Sequence, residues 1–181
     1  MSPESVEDHF DPPTVIKTHR GHSDNPELKA LHEFYYAVCA SDLDRVKRAI
    51  TPRLNLDTLF GDDYDGWPAL YSAVHNIDVF GFLLTLGANP FAGSYPGGEQ
   101  PLHRAISQDL PETDRLLRDL GADVNARYET VASVDPRPTT PLWVAMHTGS
   151  RIFVSNIRSM QDRIDIIDML VDHMGSNSLP L

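Results

Sequence analysis

The sequence has little cysteine and no long apolar run, and these absences argue against a disulfide-bonded, secreted or membrane-spanning protein. Cys39 is the single cysteine among 181 residues, so no disulfide forms within the chain. Its neighbours Ala37, Val38 and Ala40 indicate a helix-packing thiol in a reducing compartment. No apolar stretch reaches the ~18 residues of a membrane span. The sequence also does not open with basic residues followed by an apolar run, as a secretory signal peptide does. We therefore expect a cytoplasmic or nuclear protein.

Positive charge is also scarce. There are 15 Lys and Arg against 26 Asp and Glu, which gives a formal net charge of −11 with His neutral. A negative surface repels phosphate backbones and anionic lipid headgroups, so neither nucleic acid nor a membrane is expected as a partner. Hydrophobic residues make up 41% of the chain. That content supports a folded core, and the length fits one domain.

The first 26 residues differ in composition from the rest. Prolines and acidic residues alternate there with little apolar periodicity, so we interpret 1–26 as a flexible or peripherally docked tail. His9, His19 and His22 lie in this tail, but no Cys or carboxylate spacing accompanies them as in a closed metal site. No Gly-rich phosphate loop occurs either. The sequence predicts neither a metal nor a cofactor.

An apolar pattern of helical period begins after this tail. Residues three and four apart are apolar over two short stretches, which predicts two amphipathic helices, and Asp42 stands where it can cap the second. These residues are Leu31, Phe34, Val38, Leu43, Val46 and Ile50. The local unit is therefore helix, turn, helix.

The same unit recurs along the chain. In segments 66–74, 99–106 and 139–146, a proline lies at or next to a predicted helix start. A leucine and a small residue follow this proline in each segment. Pro101 fits the first turn of a helix, where its missing N–H is not needed. Gly87 and Gly121 fit the left-handed residue that ends a helix. These two glycines are 34 residues apart in the chain.

This pattern resembles the ankyrin repeat, whose period is about 33 residues. The best match is Gln100-Pro101-Leu102-His103-Arg104-Ala105-Ile106, continued through Leu116-Leu117 to Gly121-Ala122-Asp123-Val124-Asn125-Ala126. The resemblance implies an all-α solenoid of about four helix-turn-helix repeats with hairpin-like loops. The domain would span 27–181, with repeats at about 28–60, 61–94, 95–130 and 131–175.

Two segments are longer than the repeat requires. Residues 127–138 exceed an ankyrin hairpin and predict an extended finger. Residues 150–163 form an insertion in the last repeat that is too apolar for a free loop. We expect this insertion to pack on its own repeat or on a partner, and self-pairing through it would give a homo-oligomer.

The resemblance implies a function in binding rather than catalysis. Ankyrin arrays usually bind another protein on a concave face lined by hairpin tips and first helices. The candidate binding residues on that face are Tyr64, Asp65, Trp67, His75, Asn76, Tyr95, Ser107, Gln108, His147 and Thr148. Trp67 is the foremost candidate, because half-exposed aromatic rings often anchor interfaces.

The alternative is a protein that binds a small molecule, or an enzyme that acts on one. The insertion 150–163 could close the groove into a pocket, where His75 and His147 would act as acid-base groups beside Asp65. No nucleophile elbow or His-Glu-x-x-His helix supports catalysis. The protein-binding interpretation therefore leads.

Overall fold

The computed structural model describes residues 15–17, 25–61, 65–95, 97–129 and 139–147, with 167, 168 and 170–172 near the C-terminus. Within these ranges the chain is mostly helical and contains a small three-stranded sheet. Helix predominates as the all-α prediction requires, but that prediction omitted the sheet. The strands of this sheet have only three residues each. Such short strands do not show the alternation of apolar and polar residues from which a strand is predicted.

The helices come mostly in adjacent pairs. The first pair is followed by a strand hairpin, and a short helix continued by a turn of 3-10 helix takes the place of one full helix in the second pair. Their bounds are α1 Pro26–Cys39, α2 Leu43–Ala49, α3 Ala69–Ser72 with the 3-10 turn Ala73–His75, α4 Ile77–Thr85, α5 Pro101–Ser107, α6 Pro111–Asp119 and α7 Pro141–His147.

Side-chain caps and glycines set the helix ends. The side-chain oxygen of Asp42 accepts from the Arg45 amide at 2.9 Å, as the sequence predicted for the start of α2. Asn25 caps α1 in the same way. Gly87 and Gly121 have φ of 91° and 88°, a conformation that favours glycine after a helix. Local sequence therefore determines where these helices begin and end.

The sheet joins the N-terminal segment to the first hairpin. Its strands are β1 Val15–Lys17, β2 Leu59–Gly61 and β3 Gly66–Pro68. β1 pairs with β2 in parallel, and β2 pairs with β3 in antiparallel. Ile16 packs against the hydrophobic core. Part of the segment interpreted as a tail is thus docked at 15–17.

One continuous core runs beneath the helices. α1 contacts α3, α3 contacts α5 and α5 contacts α7, while the second helix of each pair packs beside the first. The fully buried large side chains come from all of these units, namely Phe34, Phe60, Leu70, Phe80, Leu83, Leu102, Ile106, Leu117 and Leu170. Each pair therefore completes its burial only against the next pair.

A buried histidine ties α5 to the following loop. His103 is fully buried; its Nδ1 accepts from the Gln100 amide at 3.3 Å, and its Nε2 donates to the Ala126 carbonyl at 3.1 Å. These partners match the neutral tautomer with the proton on Nε2. The Tyr128 ring meets the imidazole edge to face at 4.8 Å. Burial lowers the pKa of His103 below its usual value of 6.5.

A buried ion pair lies on α6. Arg118 donates to both carboxylate oxygens of Asp114 from Nε and Nη2, at 3.0 to 3.3 Å. Both side chains are almost entirely buried. Thr113 beside them donates to the Val74 carbonyl at 3.0 Å. Polar groups here are satisfied inside the protein, which orients α6 against the preceding helical unit.

Leu102→Ala should lower the free energy of unfolding by about 2–5 kcal/mol, because it leaves a cavity between helical units. Leu142→Ala should cost less, since Leu142 is only partly buried. Leu120 is 45% exposed, so Leu120→Ala serves as a control with a change within about 0.5 kcal/mol. Urea unfolding measures all three. A loss under about 1 kcal/mol for Leu102→Ala would contradict this packing.

Protonation of His103 should weaken the fold. Because its pKa is lowered in the folded state, its stabilising contribution is present above the unfolded pKa near 6.5 and is lost as pH falls through the folded value. Urea unfolding from about pH 7.5 to about pH 5.5 should show a steeper loss for the native chain than for His103→Gln. If the free energy of unfolding falls equally with pH in both proteins, protonation of His103 does not destabilise the fold.

Candidate functional site

Four side chains from β3, α3, α5 and one loop meet beside the first hairpin. We call them the Tyr71 cluster: Trp67, Tyr71, Glu99 and Arg104. The Tyr71 ring stacks on the Trp67 indole, with centroids 6.3 Å apart and planes at 20°. The Arg104 guanidinium carbon lies 5.3 Å from the Tyr71 ring centroid. An aromatic pair with a cation over one ring is thereby assembled from two helical units.

Local structure positions each member of the cluster. Trp67 lies in β3 and Tyr71 follows on α3, so one short segment supplies both rings. Glu99 ends the loop that begins at Ser94, where the Ser94 hydroxyl accepts from the Glu99 amide at 3.0 Å. Arg104 is on α5, which packs against α3. The cluster therefore depends on how two helical units pack.

The polar ends of the cluster influence one another electrostatically. Burial raises the pKa of Tyr71 well above its usual value; the nearby Glu99 charge raises it further and the Arg104 charge lowers it. Burial also raises the pKa of Glu99, although the nearby Tyr71 hydroxyl and the Arg104 charge act in the opposite direction. Glu99 is thus a carboxylate held in a poorly solvated place.

Arg104 is incompletely satisfied. Among the described residues, its Nε atom is buried and has no hydrogen-bond partner. An unsatisfied buried donor lowers stability by roughly 1–3 kcal/mol. Native structures keep few such groups, and their presence calls for a reason beyond packing. The guanidinium stays in place through the Tyr71 ring and the nearby Glu99 charge.

His75 lies next to the cluster. It ends the 3-10 turn that follows α3, and it is exposed. Partial desolvation and the Arg104 charge both lower the pKa of His75. Both effects favour the neutral imidazole, which offers one donor and one acceptor.

The other candidates have local backbone roles. Asn76 caps α4, with its side-chain oxygen accepting from Asp78 and Val79 at 3.1 and 3.0 Å. Tyr95 pairs its backbone with Gly66 at 2.8 and 2.9 Å, which joins two successive loops. The Ser107 hydroxyl donates to the Arg104 carbonyl at 2.9 Å. These contacts shape the surface around the cluster.

Asp65 and Gln108 flank this surface. Asp65 directly precedes β3 and is partly buried. Gln108 is exposed and follows the last turn of α5. Tyr64, Thr148, the insertion 150–163 and the side chain of His147 lie outside the described residues. The predicted convergence of His75 with His147 thus stays a prediction.

Sequence reasoning missed three of the four cluster residues. Tyr71, Glu99 and Arg104 were not among the candidate residues. Local sequence offered no signal for them, because the packing of α5 on α3, which brings Arg104 to Tyr71, cannot be deduced from either segment alone.

A second polar group lies on α1 and α3. The Ser72 hydroxyl donates to the Tyr35 hydroxyl at 3.4 Å, and the Cys39 thiol lies near both. Burial raises the pKa of Tyr35 to about 12. Cys39 is exposed as a residue, but partial desolvation of its thiol raises the thiol pKa.

Within the described ranges, no group of three or more His, Cys, Asp or Glu side chains is arranged to hold a metal ion. Among those residues, no helix has both the length and the apolar character to cross a membrane. Comparison with models of known protein families finds no matching family, and comparison with curated proteins finds no matching relative.

Glu99→Gln should stabilise the protein at pH 7. Because the folded pKa of Glu99 lies above its usual 4.5, its contribution to stability is present below that value and is lost as pH rises through the folded pKa. Glutamine keeps an acceptor for Tyr71 and carries no charge. Urea unfolding at pH 7 and near pH 4 measures the gain, which should vanish at the lower pH. Glu129→Gln, at an exposed position, is the control; a loss of stability for Glu99→Gln at pH 7 would show that the carboxylate is favoured.

Proposed function

We propose that this chain is an ankyrin-like repeat module that binds another protein. The supporting features are successive helix pairs, first helices that contact one another in chain order, and loops bridged by backbone pairing. Two of these pairs end in left-handed glycines, Gly87 and Gly121. The buried His103 bonds the loop that follows its helix pair. An array of this kind presents a long surface for recognition.

The Tyr71 cluster is the observation that carries the binding proposal. Trp67 is partly exposed, and its indole rests on the Tyr71 ring rather than in the core. A ring supported on one side offers rigid contact area with little loss of conformational entropy on binding. His75 adds exposed hydrogen-bonding groups next to it.

The energetics of the cluster favour the same proposal. Burial raises the pKa of Glu99, and Arg104 has a buried donor without a hydrogen-bond partner among the described residues. Both features lower stability, and natural proteins concentrate such features at functional sites. A cluster chosen for stability alone would place apolar side chains at these half-buried positions.

Trp67→Ala should weaken partner binding by about 2 kcal/mol or more, roughly 30-fold in Kd, if the ring is an anchor. Partners captured by the immobilised native chain would be identified by mass spectrometry, and their affinities would then be measured by calorimetry. Urea unfolding of the variant would separate lost binding from lost stability.

Trp143→Ala is the matched control. Trp143 is also a tryptophan on this chain and is 42% exposed, but it lies on α7, which contributes no member of the cluster. Its removal should leave the affinity within about twofold, or about 0.4 kcal/mol. If Trp143→Ala abolishes binding and Trp67→Ala does not, the recognition surface lies at the C-terminal end and the proposal is wrong.

A further inference from the structure

The carboxyl group of the Tyr71 cluster lies beside three aromatic side chains. Burial raises the pKa of Tyr71, and the Glu99 charge raises it further. Burial likewise raises the pKa of Tyr128 to about 12, and the Glu99 charge again adds to the shift. A charge acts on both phenols only when it lies near both. The third ring is the Trp67 indole, which stacks on Tyr71.

Backbone pairing holds this carboxyl group next to the strand of Trp67. Gly66, which precedes Trp67 in β3, exchanges two backbone hydrogen bonds with Tyr95, at 2.8 and 2.9 Å. The same loop is closed where the Ser94 amide donates to the Glu99 carbonyl at 2.8 Å and the Ser94 hydroxyl accepts from the Glu99 amide at 3.0 Å. Because the loop is ordered before a partner arrives, binding there loses little entropy.

The aromatic pair already holds one cation. The Arg104 guanidinium carbon lies 5.3 Å from the Tyr71 centroid, within the distance at which a ring attracts a cation. Among aromatic side chains, the tryptophan ring attracts cations most strongly. Trp67 is partly exposed, so a partner's cation has access to this ring.

Charge decides between a cationic and an anionic group of the partner. Arg104 alone would favour an anion, but Glu99 lies beside it. The sequence adds Asp62, Asp63 and Asp65 within five positions of Trp67, and the whole chain has a formal net charge of −11. A surface of this sign attracts cations and repels anions.

We propose that the Tyr71 cluster binds a Lys or Arg side chain of the partner protein, with the cation on the Trp67 indole and close to the Glu99 carboxylate. This inference rests on the binding function proposed above and specifies its partner as a protein with a basic segment. Arg104 stays on the Tyr71 ring. The partner's cation offsets part of the hydration that the Glu99 carboxylate loses through burial.

Butylammonium, which has the same chain and charged end as a lysine side chain, tests the site without an identified partner. The chain has two tryptophans, so its NMR spectrum contains two indole N–H signals, which Trp143→Phe assigns. Titration at pH 7 up to about 50 mM, a range suited to one weak cation–ring contact, should shift the Trp67 signal saturably and the Trp143 signal much less. Equal shifts of both signals would overturn the proposal.

Two molecules of similar size separate charge from apolar contact. Butyrate carries the opposite charge and butanol carries none, so both should shift the Trp67 signal much less than butylammonium does. If butyrate shifts it as strongly, Arg104 selects an anion. If butanol does, the contact is apolar and charge has no part. Either result would overturn the proposal.

Glu99→Gln removes the charge from the cluster and should weaken butylammonium binding at Trp67 about fivefold. The expected gain in stability of this variant separates lost binding from lost folding. Asp119→Asn is the matched control, because it also removes one negative charge, at an exposed position on α6, which contributes no member of the cluster. Its affinity should stay within about twofold. Equal losses would show that net charge alone attracts the cation, against the proposal.

The partner captured by the native chain distinguishes this inference from the proposed function. Both Trp67→Ala and Glu99→Gln should weaken its binding. If Trp67→Ala weakens binding and Glu99→Gln does not, the cluster binds a protein without a cation, so this inference fails and the binding function stands. If neither substitution weakens binding, both proposals fail.

Discussion

Burial between successive helix pairs is the interaction on which the rest of the structure depends. The helices that follow α1 have nine residues or fewer, and isolated helices of that length are not stable in water. Leu70, Leu102 and Leu117 are fully buried where the units meet. Because each pair lacks a complete core of its own, folding of one pair requires its neighbour.

The same packing creates the Tyr71 cluster. Trp67 and Tyr71 belong to one unit and Arg104 to the next, so their contacts exist only when α3 and α5 are in contact. The cluster in turn contains a carboxyl group that burial disfavours as an anion, and a buried donor that has no acceptor among the described residues. If the cluster is the binding site that we propose, stability and recognition compete at one place, as proteins often show at functional sites.

The polar groups of the core contrast with this cluster. His103 has an acceptor and a donor matched to its two ring nitrogens, and Asp114 pairs with Arg118 inside the protein. These groups orient helices and loops, and their hydrogen bonds avoid the loss of stability that the unsatisfied donor of Arg104 causes. Comparable residue types thus serve different ends, and only their hydrogen-bond partners distinguish the two cases.

Much of the local structure could be predicted from residue order. Asp42 at the start of α2, Pro101 at the start of α5 and glycine at the ends of α4 and α6 follow from backbone chemistry that acts within one turn. The apolar spacing likewise predicted Phe34, Val38 and Val46 as core residues, and all three are buried. These features need no knowledge of distant parts of the chain.

The remaining features depend on contacts between residues far apart in sequence. Val15 and Leu59 pair across more than forty positions, and nothing in a three-residue segment specifies that edge. Tyr71, Glu99 and Arg104 form a cluster because two units pack together, although none was selected as a candidate from the sequence.

The sequence by itself determined helix ends, core positions and charge, since these depend on neighbouring residues and composition. Tertiary structure alone decided the docked strand and the site, because burial and hydrogen-bond partners arise only when separate segments meet.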